Sequence, residues 1–298
     1  MTHRRTSSAR RLLPRRVAAL LLVVILTFCS SCAPAVESSS TEDSSESVSE
    51  YSSSESSEES SEISEPEPEI ENEVDIIPRH DEIAAQYEIN PDTIGWLYIP
   101  DTEVNDAVVQ RAGAEDNNYY LRRDKDGHYS WYGCFFADYE STFGSREELS
   151  RNNIIYAHNL GYNDNPDRPD FSQLFHYLDQ DFAESHPYIF MSTAEEDMIW
   201  EVFAVFYTEA TSWYIMVDIS DSTQNQIIRS ARERSQWIYN VNVDETDKLL
   251  TLSTCSYKYG GALNPQRFVV MARLVEKDKP LPASILVTAN PEPREPEF

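Results

Sequence analysis

The run MIWEVFAVFYT at positions 198–208 decides the fold that this sequence predicts. Side chains alternate between the two faces of a β-strand. Here one face carries Ile199, Glu201, Phe203, Val205 and Tyr207, and the other carries Trp200, Val202, Ala204 and Phe206. Both faces are apolar apart from one glutamate, so we expect this strand to be covered on each side.

Seven further runs have strand-like alternation or apolar density: TIGWLYI (93–99), EVNDAVVQ (103–110), GCFFADY (133–139), NIIYAH (153–158), YIFMS (188–192), KLLTLSTC (248–255) and RFVVMARLV (267–275). Helical patterns are few. They cover 81–89, 171–178 and 221–240, and in the last of these one face is formed by Ile227, Ile228, Ala231 and Ile238. Eight strands and few helices favour a mainly β fold, closed into an eight-stranded barrel without exposed edges.

Composition divides the 298 residues into four parts. We interpret 1–35 as a signal peptide or membrane anchor, 36–75 as a disordered Ser/Glu-rich linker, 76–278 as the globular domain and 279–298 as a Pro/Glu-rich tail. The domain is rich in aromatic and β-branched residues, and a chain of about 200 residues can bury a proper core.

The first segment has the pattern of an export signal. Six arginines precede the apolar run VAALLLVVILTF (17–28), which is short for a spanning helix unless it is extended through Ala33. Ser30 and Ser31 before Cys32 also fit a lipoprotein signal, although Cys29 stands where such signals usually carry Leu. A membrane anchor, a lipid on Cys32 and cleaved secretion therefore stay open, and all three place the domain outside the cell membrane.

The linker holds fifteen Asp and Glu between Glu37 and Asp75, with no Lys or Arg. Low hydrophobicity and one-signed charge predict a disordered, extended tether. The linker contributes much of the formal net charge of −28. This acidic balance argues against nucleic-acid binding, which requires a basic surface.

The domain contains two cysteines, so a disulfide framework is not indicated. Cys134 lies in an apolar strand and is predicted to be a buried, inert thiol. Cys255 ends the strand TLSTC (251–255) before a turn-forming stretch, which makes its side chain both fixed and accessible. A reactive thiolate also needs a base and a positive environment.

Two residues are candidates for these roles. His158 ends a strand as Cys255 does, whereas the other histidines of the domain lie in loops or helical stretches. Arg267 begins the strand after the Cys255 loop, twelve positions on. A hairpin of that length brings its strand ends side by side, so Arg267 can aim at the sulfur and bind an oxyanion. Each residue taken alone also fits an ordinary structural role.

Together these residues resemble the sortases, and the surrounding sequence resembles class B. TLSTC (251–255) matches the TLxTC pattern of the family, YAHN (156–159) surrounds the histidine, and RFVV (267–270) carries the arginine. The likeness continues through 90–110, 116–124 and 133–139, and it covers nearly all of 80–275.

The resemblance implies a sortase-type barrel with N-terminal helices and a helix in the connection before the cysteine strand. It implies transpeptidation without a cofactor or metal. Cys255 would attack after a Thr in the C-terminal sorting signal of a surface protein, with His158 as general acid and base and Arg267 at the oxyanion. An amine of a peptidoglycan precursor or a pilin lysine would then resolve the thioacyl enzyme. The expected substrate-binding residues are Ser253, Thr254 and Asn159.

Three features depart from the class B pattern. Ser256 follows the cysteine where class B members often have Asp, the loop from Cys255 to Arg267 includes Gly260, Gly261 and Pro265, and the tether is long. A papain-like protease is disfavoured, because its Cys would come early in the mature chain and before its His. A non-catalytic cell-surface binding lipoprotein is the alternative from another class, and the intact Cys, His and Arg argue against it.

Overall fold

The computed structural model describes residues 74–111, 117–260 and 263–298. The predicted signal segment and nearly all of the predicted linker lie outside these residues. No helix within the described ranges has the length and apolar character needed to span a membrane. The strands are Thr93–Tyr98 (β1), Asn105–Val109 (β2), Phe135–Ala137 (β3), Asn152–Tyr156 (β4), Tyr188–Ser192 (β5), Asp197–Glu209 (β6), Trp237–Tyr239 (β7), Leu249–Cys255 (β8), Gln266–Leu274 (β9) and Val287–Ala289 (β10).

Eight of these strands close into a barrel in the order β1-β2-β3-β4-β8-β9-β6-β5. Each of them overlaps one of the eight apolar runs, so the predicted mainly β, eight-stranded barrel is confirmed. The pairs β2–β3 and β4–β8 are parallel. The parallel pair β4–β8 matters for function, because two parallel neighbours end at the same rim of the barrel.

Strand β6 is covered on both sides, as its sequence predicts. Every residue from Trp200 to Thr208 is buried. The single acid within this buried stretch, Glu201, accepts a hydrogen bond from Arg273 of β9 at 2.6 Å, and the two are cross-strand partners. Pairing removes most of the cost that a lone buried carboxylate would carry.

The helices are His80–Ile89 (α1), Gln180–Ser185 (α2) and Asp221–Arg234 (α3), with 3₁₀ helices at Tyr119–Arg122 and Phe171–Leu178. Helix α3 is the predicted helix before the cysteine strand, and it packs against β6. Its N-terminus is capped by Ser220, whose side chain accepts a hydrogen bond from the Thr223 amide, which satisfies one of the free amides of the first turn.

The predicted helix 221–240 was too long, because α3 ends at Arg234. Ile227, Ile228 and Ala231 lie on its buried face as predicted, whereas Ile238 lies on β7 and is 54% exposed. The Gln236 amide donates to the Val205 carbonyl, and β7 pairs with β10. Pairing with distant strands therefore overrides the local helical pattern here.

The polar C-terminal segment 279–298 includes β10, a strand that its composition does not predict. Val287 is fully buried and Leu281 is 5% exposed. The Ile285 amide donates to the Glu184 carbonyl of α2, and the Arg294 amide donates to the Glu233 carbonyl of α3. This segment is therefore packed onto the domain, although only three of its residues form regular structure.

Candidate active site

The parallel ladder between β4 and β8 brings His158 and Cys255 to one rim of the barrel. Tyr156 is paired with Ser253 in this ladder, and His158 and Cys255 each come two positions later. Because side chains alternate along a strand with a period of two, both residues follow their paired neighbours onto the same face. His158 and Cys255 each lie two positions beyond a paired residue, which explains how two residues distant in the chain come to the same rim of the barrel.

Arg267 reaches the same place from the other side of Cys255. The two residues are direct partners in the antiparallel pairing of β8 and β9. Cys255, His158 and Arg267 all line one cavity of about 570 Å³. The structure therefore brings together the three residues that the sequence singles out as catalytic candidates.

Arg267 presents a cation with few internal partners. Its Nη1 donates to the Gln266 carbonyl at 2.9 Å. Among the described residues, Arg267 takes part in no ion pair with a carboxylate. A guanidinium in this state keeps donors for an oxyanion that forms beside the sulfur.

Both cysteines within the described residues, Cys134 and Cys255, have free thiols. Burial raises the pKa of the Cys134 thiol far above its ordinary value, in agreement with the inert role predicted for it. Cys255 instead lines the cavity. Of these two thiols, only Cys255 therefore combines access to a cavity with a neighbouring His and Arg.

His158 is held by the 3₁₀ helix Tyr119–Arg122. Its Nε2 lies 2.8 Å from the Leu121 carbonyl oxygen and 3.1 Å from Arg122 Nη1. Burial lowers the pKa of the imidazole, the Leu121 carbonyl raises it, and the Arg122 cation lowers it again. The net result is a pKa below the ordinary value, which favours the neutral ring in the resting site.

Gly133 makes room for the His158 ring. A Cβ at this position would lie 3.1 Å from His158 Cδ2, and the glycine has a φ of +68°. Any other residue would be strained in this conformation and would press on the ring. Gly133 therefore leaves the space that the His158 ring occupies, a role that the strand pattern does not reveal.

The three expected substrate-binding residues are placed differently. Ser253 and Thr254 line the cavity, and their hydroxyls bond to Tyr214 Oη at 3.1 Å and to the Ala157 carbonyl at 2.9 Å. Asn159 does not line it. Its Nδ2 donates to the Cys255 carbonyl oxygen at 3.0 Å, so Asn159 links the chain after His158 to the chain at Cys255.

Sequence reasoning missed two residues of this region. Arg122 contacts His158, and Asp164 accepts a hydrogen bond from Ser256. Each lies in a segment with several similar charges, the pair Arg122–Arg123 and an Asp-rich loop, so no local signal separates it from its neighbours.

Comparison with known proteins agrees with this geometry. The family model for the sortase domain matches residues 97–275. Sortase B of Listeria monocytogenes is 32% identical over 202 residues, which cover 66% of this chain and 75% of that protein. Sortase B of Staphylococcus aureus is 28% identical over 207 residues, covering 67% and 80%.

Solved structures give the same result. The Staphylococcus aureus sortase B–substrate complex superposes with a TM-score of 0.58 at 28% identity, covering 67% of this chain and 87% of that one. Sortase B from Bacillus anthracis, in complex with AAEK2, has a TM-score of 0.56 at 30% identity, covering 70% and 90%.

The barrel, the cavity with its cysteine and the matched relatives define a cysteine transpeptidase, and the chain belongs to the sortase family. Within that family its relatives and structural neighbours are class B sortases, which confirms the class predicted from TLSTC, YAHN and RFVV. Membership of this transpeptidase family excludes the alternative of a non-catalytic cell-surface binding protein.

Proposed function

We propose that this sortase cuts the C-terminal sorting signal of surface proteins after a Thr and transfers the new carboxyl end to an amine. The observation that carries the proposal is the meeting of Cys255, His158 and Arg267 at one cavity. A thiol, a titratable base and a cation are the three groups that acyl transfer through a thioester requires.

In the first half-reaction the Cys255 thiol gives its proton to neutral His158, and the resulting thiolate attacks the carbonyl carbon of the Thr. Arg267 donates hydrogen bonds to the oxyanion of the tetrahedral intermediate. Protonated His158 gives its proton to the leaving amine as the peptide bond breaks, which leaves a thioacyl enzyme. In the second half-reaction neutral His158 takes a proton from the incoming amine, and collapse of the second intermediate releases Cys255.

The cavity walls fit a peptide substrate. Leu121, Ala157 and Ile215 supply apolar surface, and Ser253 and Thr254 supply hydroxyls near Cys255. Binding clefts of this composition hold a ligand by its apolar groups and orient it by a few polar ones. We assign Ser253 and Thr254 to this orienting role. Asn159 supports the site from behind through its bond to the Cys255 carbonyl.

The acceptor is an amine of a peptidoglycan precursor or a pilin lysine. A solved sortase B of 27% identity is complexed with a glycine tripeptide, which makes triglycine the first amine to test on this chain. A lysine peptide is the matched test for the pilin alternative.

We also propose that the enzyme works on the outer face of the cell membrane. The arginine-rich, apolar segment 1–35 would export it and anchor it, either as a helix or through a lipid on Cys32. The acidic linker 36–75 would then hold the domain away from the membrane.

The test is to incubate the full chain with peptides that carry Thr before varied residues, with triglycine or a lysine peptide as the amine. Mass spectrometry would show cleavage after Thr, a thioacyl adduct on Cys255 and the amine-linked product. Cys255→Ala should abolish all three, and Cys134→Ala should retain them. If no peptide is cut and no adduct forms on Cys255, the proposal is wrong.

A further inference from the structure

The loop after β4 turns sharply at Asn163 and Asp164, two residues whose side chains carry hydrogen-bond acceptors. Asn163 and Asp164 both have a φ of 56°, a left-handed conformation that Asn and Asp tolerate better than other non-glycine residues. The turn directs the Asp164 carboxylate toward the chain that follows Cys255, as the hydrogen bonds below show.

Asp164 binds two consecutive residues after the cysteine. Its Oδ2 accepts a hydrogen bond from Ser256 Oγ at 2.7 Å, and its Oδ1 accepts one from the Tyr257 amide at 3.0 Å. A carboxylate that accepts from an amide and a hydroxyl forms charge-assisted bonds, which are stronger than neutral ones.

The same carboxylate is tied to the residue after His158. Asn159 Nδ2 donates to Asp164 Oδ1 at 2.8 Å and also to the Cys255 carbonyl oxygen at 3.0 Å. Asp164 and Asn159 therefore form one hydrogen-bonded clamp. At one end it holds the chain from Cys255 to Tyr257, and at the other end it includes Asn159, the residue next to His158.

The position of the clamp matters because β8 ends at Cys255. Beyond this point Ser256 keeps a backbone bond to the Gln266 carbonyl at 3.3 Å, and the ladder no longer fixes the chain. Small displacements of a reacting group cost much rate even when substrate still binds.

We propose that Asp164 is a positioning residue for transpeptidation, which fixes the backbone around Cys255 relative to His158 through the clamp. Its hydrogen bonds go to Asn159, Ser256 and Tyr257, so it acts through them and not by contact with the sulfur. The assignment rests on the proposed function, since it assumes that Cys255 and His158 react.

The negative charge strengthens the bonds of the clamp, but the proposed role is to hold the backbone in place, which neutral hydrogen bonds can also do. In Asp164→Asn, the remaining oxygen can still accept from Asn159 and the Tyr257 amide. The new NH₂ group can donate to Ser256 Oγ, because that hydroxyl also has Gln266 Oε1 at 3.3 Å as an alternative acceptor. Asp164→Ala removes all of these bonds. The two variants therefore separate positioning from charge.

The experiment measures kcat and KM for peptide cleavage with the full chain, at a temperature where circular dichroism shows every variant folded. Asp164→Ala should lower kcat about 10- to 100-fold and change KM by less than about threefold. Asp164→Asn should recover most of kcat. Asp167→Ala, which removes an exposed acid from the same loop, should match the wild type.

Three other outcomes would overturn the proposal. A kcat for Asp164→Ala within about twofold of wild type would show that the clamp is not needed. Equal losses in the Asn and Ala variants would show that charge matters and position does not. If Asp164→Ala does not fold, Ser256→Ala takes its place: removal of one clamp bond should lower kcat severalfold, and an unchanged kcat contradicts the proposal.

Failure of the proposed function has a different signature. In that case the wild type and Asp167→Ala both leave every peptide uncut, and the positioning role is rejected together with the proposed function. If the wild type cuts peptide and only the Asp164 comparison fails, the transpeptidase stands and the clamp alone is rejected.

Discussion

Cys255 and Arg267 are opposite each other in the antiparallel ladder of β8 and β9. The ladder fixes the separation of their backbones, and the Gln266 carbonyl accepts a hydrogen bond from Arg267 Nη1, so the cation lies at the cavity before any substrate arrives. Preorganised donors of this kind stabilise charge that develops in a transition state without reorganising during the reaction.

Arg267→Ala should therefore lower kcat/KM by about 10²- to 10³-fold. Arg267→Lys keeps the charge and loses the planar fork of donors, so its loss should be smaller. Steady-state cleavage of the best peptide measures both. Arg168→Ala removes an exposed loop arginine and should leave the rate unchanged. An active Arg267→Ala enzyme would contradict the oxyanion role.

Arg122 should set the pH range of the enzyme. It lies 3.1 Å from His158 Nε2 and lowers the pKa of the ring, so Arg122→Gln should raise that pKa. In the free enzyme His158 must be neutral to take the Cys255 proton, and kcat/KM reports the free enzyme. The acid limb of the kcat/KM profile should therefore move to higher pH.

A matched variant separates this effect from a general change of charge. Arg123→Gln removes the neighbouring cation, which stacks on Tyr119 and does not bond to the imidazole. It should leave the acid limb in place. A limb that does not move in Arg122→Gln would show that Arg122 does not control the histidine.

Asp170 should make the domain less stable as the pH rises. Burial, with Asp106 and Glu103 nearby, raises the pKa of its carboxyl to about 7 from 3.8. The folded state then keeps a proton that the unfolded state loses, so the stabilising contribution is complete below about pH 4 and is lost as pH rises through about 7.

Asp170→Asn removes this titration and keeps the size and shape of the side chain at this position, where φ is 57°. It should raise Tm by several degrees at pH 8 and have little effect at pH 4, as thermal unfolding at the two values would show. Asp167→Asn, in the exposed part of the same loop, should change neither. An equal gain in Tm at both pH values would contradict the assigned pKa.

The C-terminal strand should contribute to stability. Deletion of 280–298 removes the buried side chains of Leu281 and Val287 and leaves β7 without its partner. Burial of two such side chains is worth roughly 3–6 kcal/mol, so Tm should fall by about 10 °C or more in calorimetry. Thr288→Ala, at an exposed position of β10, should have little effect, and an unchanged Tm after the deletion would contradict the docked strand.

The sequence by itself determined the eight barrel strands and the three candidate residues that meet at one cavity. Strand periodicity is a local property, so runs such as 198–208 and 248–255 could be assigned without knowledge of their partners. Cys255, His158 and Arg267 stood out because each lies at the end of such a run. The pattern around them resembled one family, and the comparisons confirmed that family.

The tertiary structure decided the features that depend on distant partners. The end of α3 at Arg234 follows from the pairing of β7 with β10, and the local pattern of 221–240 contains no sign of that pairing. Arg122 lies 36 positions from His158, and Asp164 lies 92 positions from Ser256. Charges like these are common in loops, so only the fold shows which of them reaches the site.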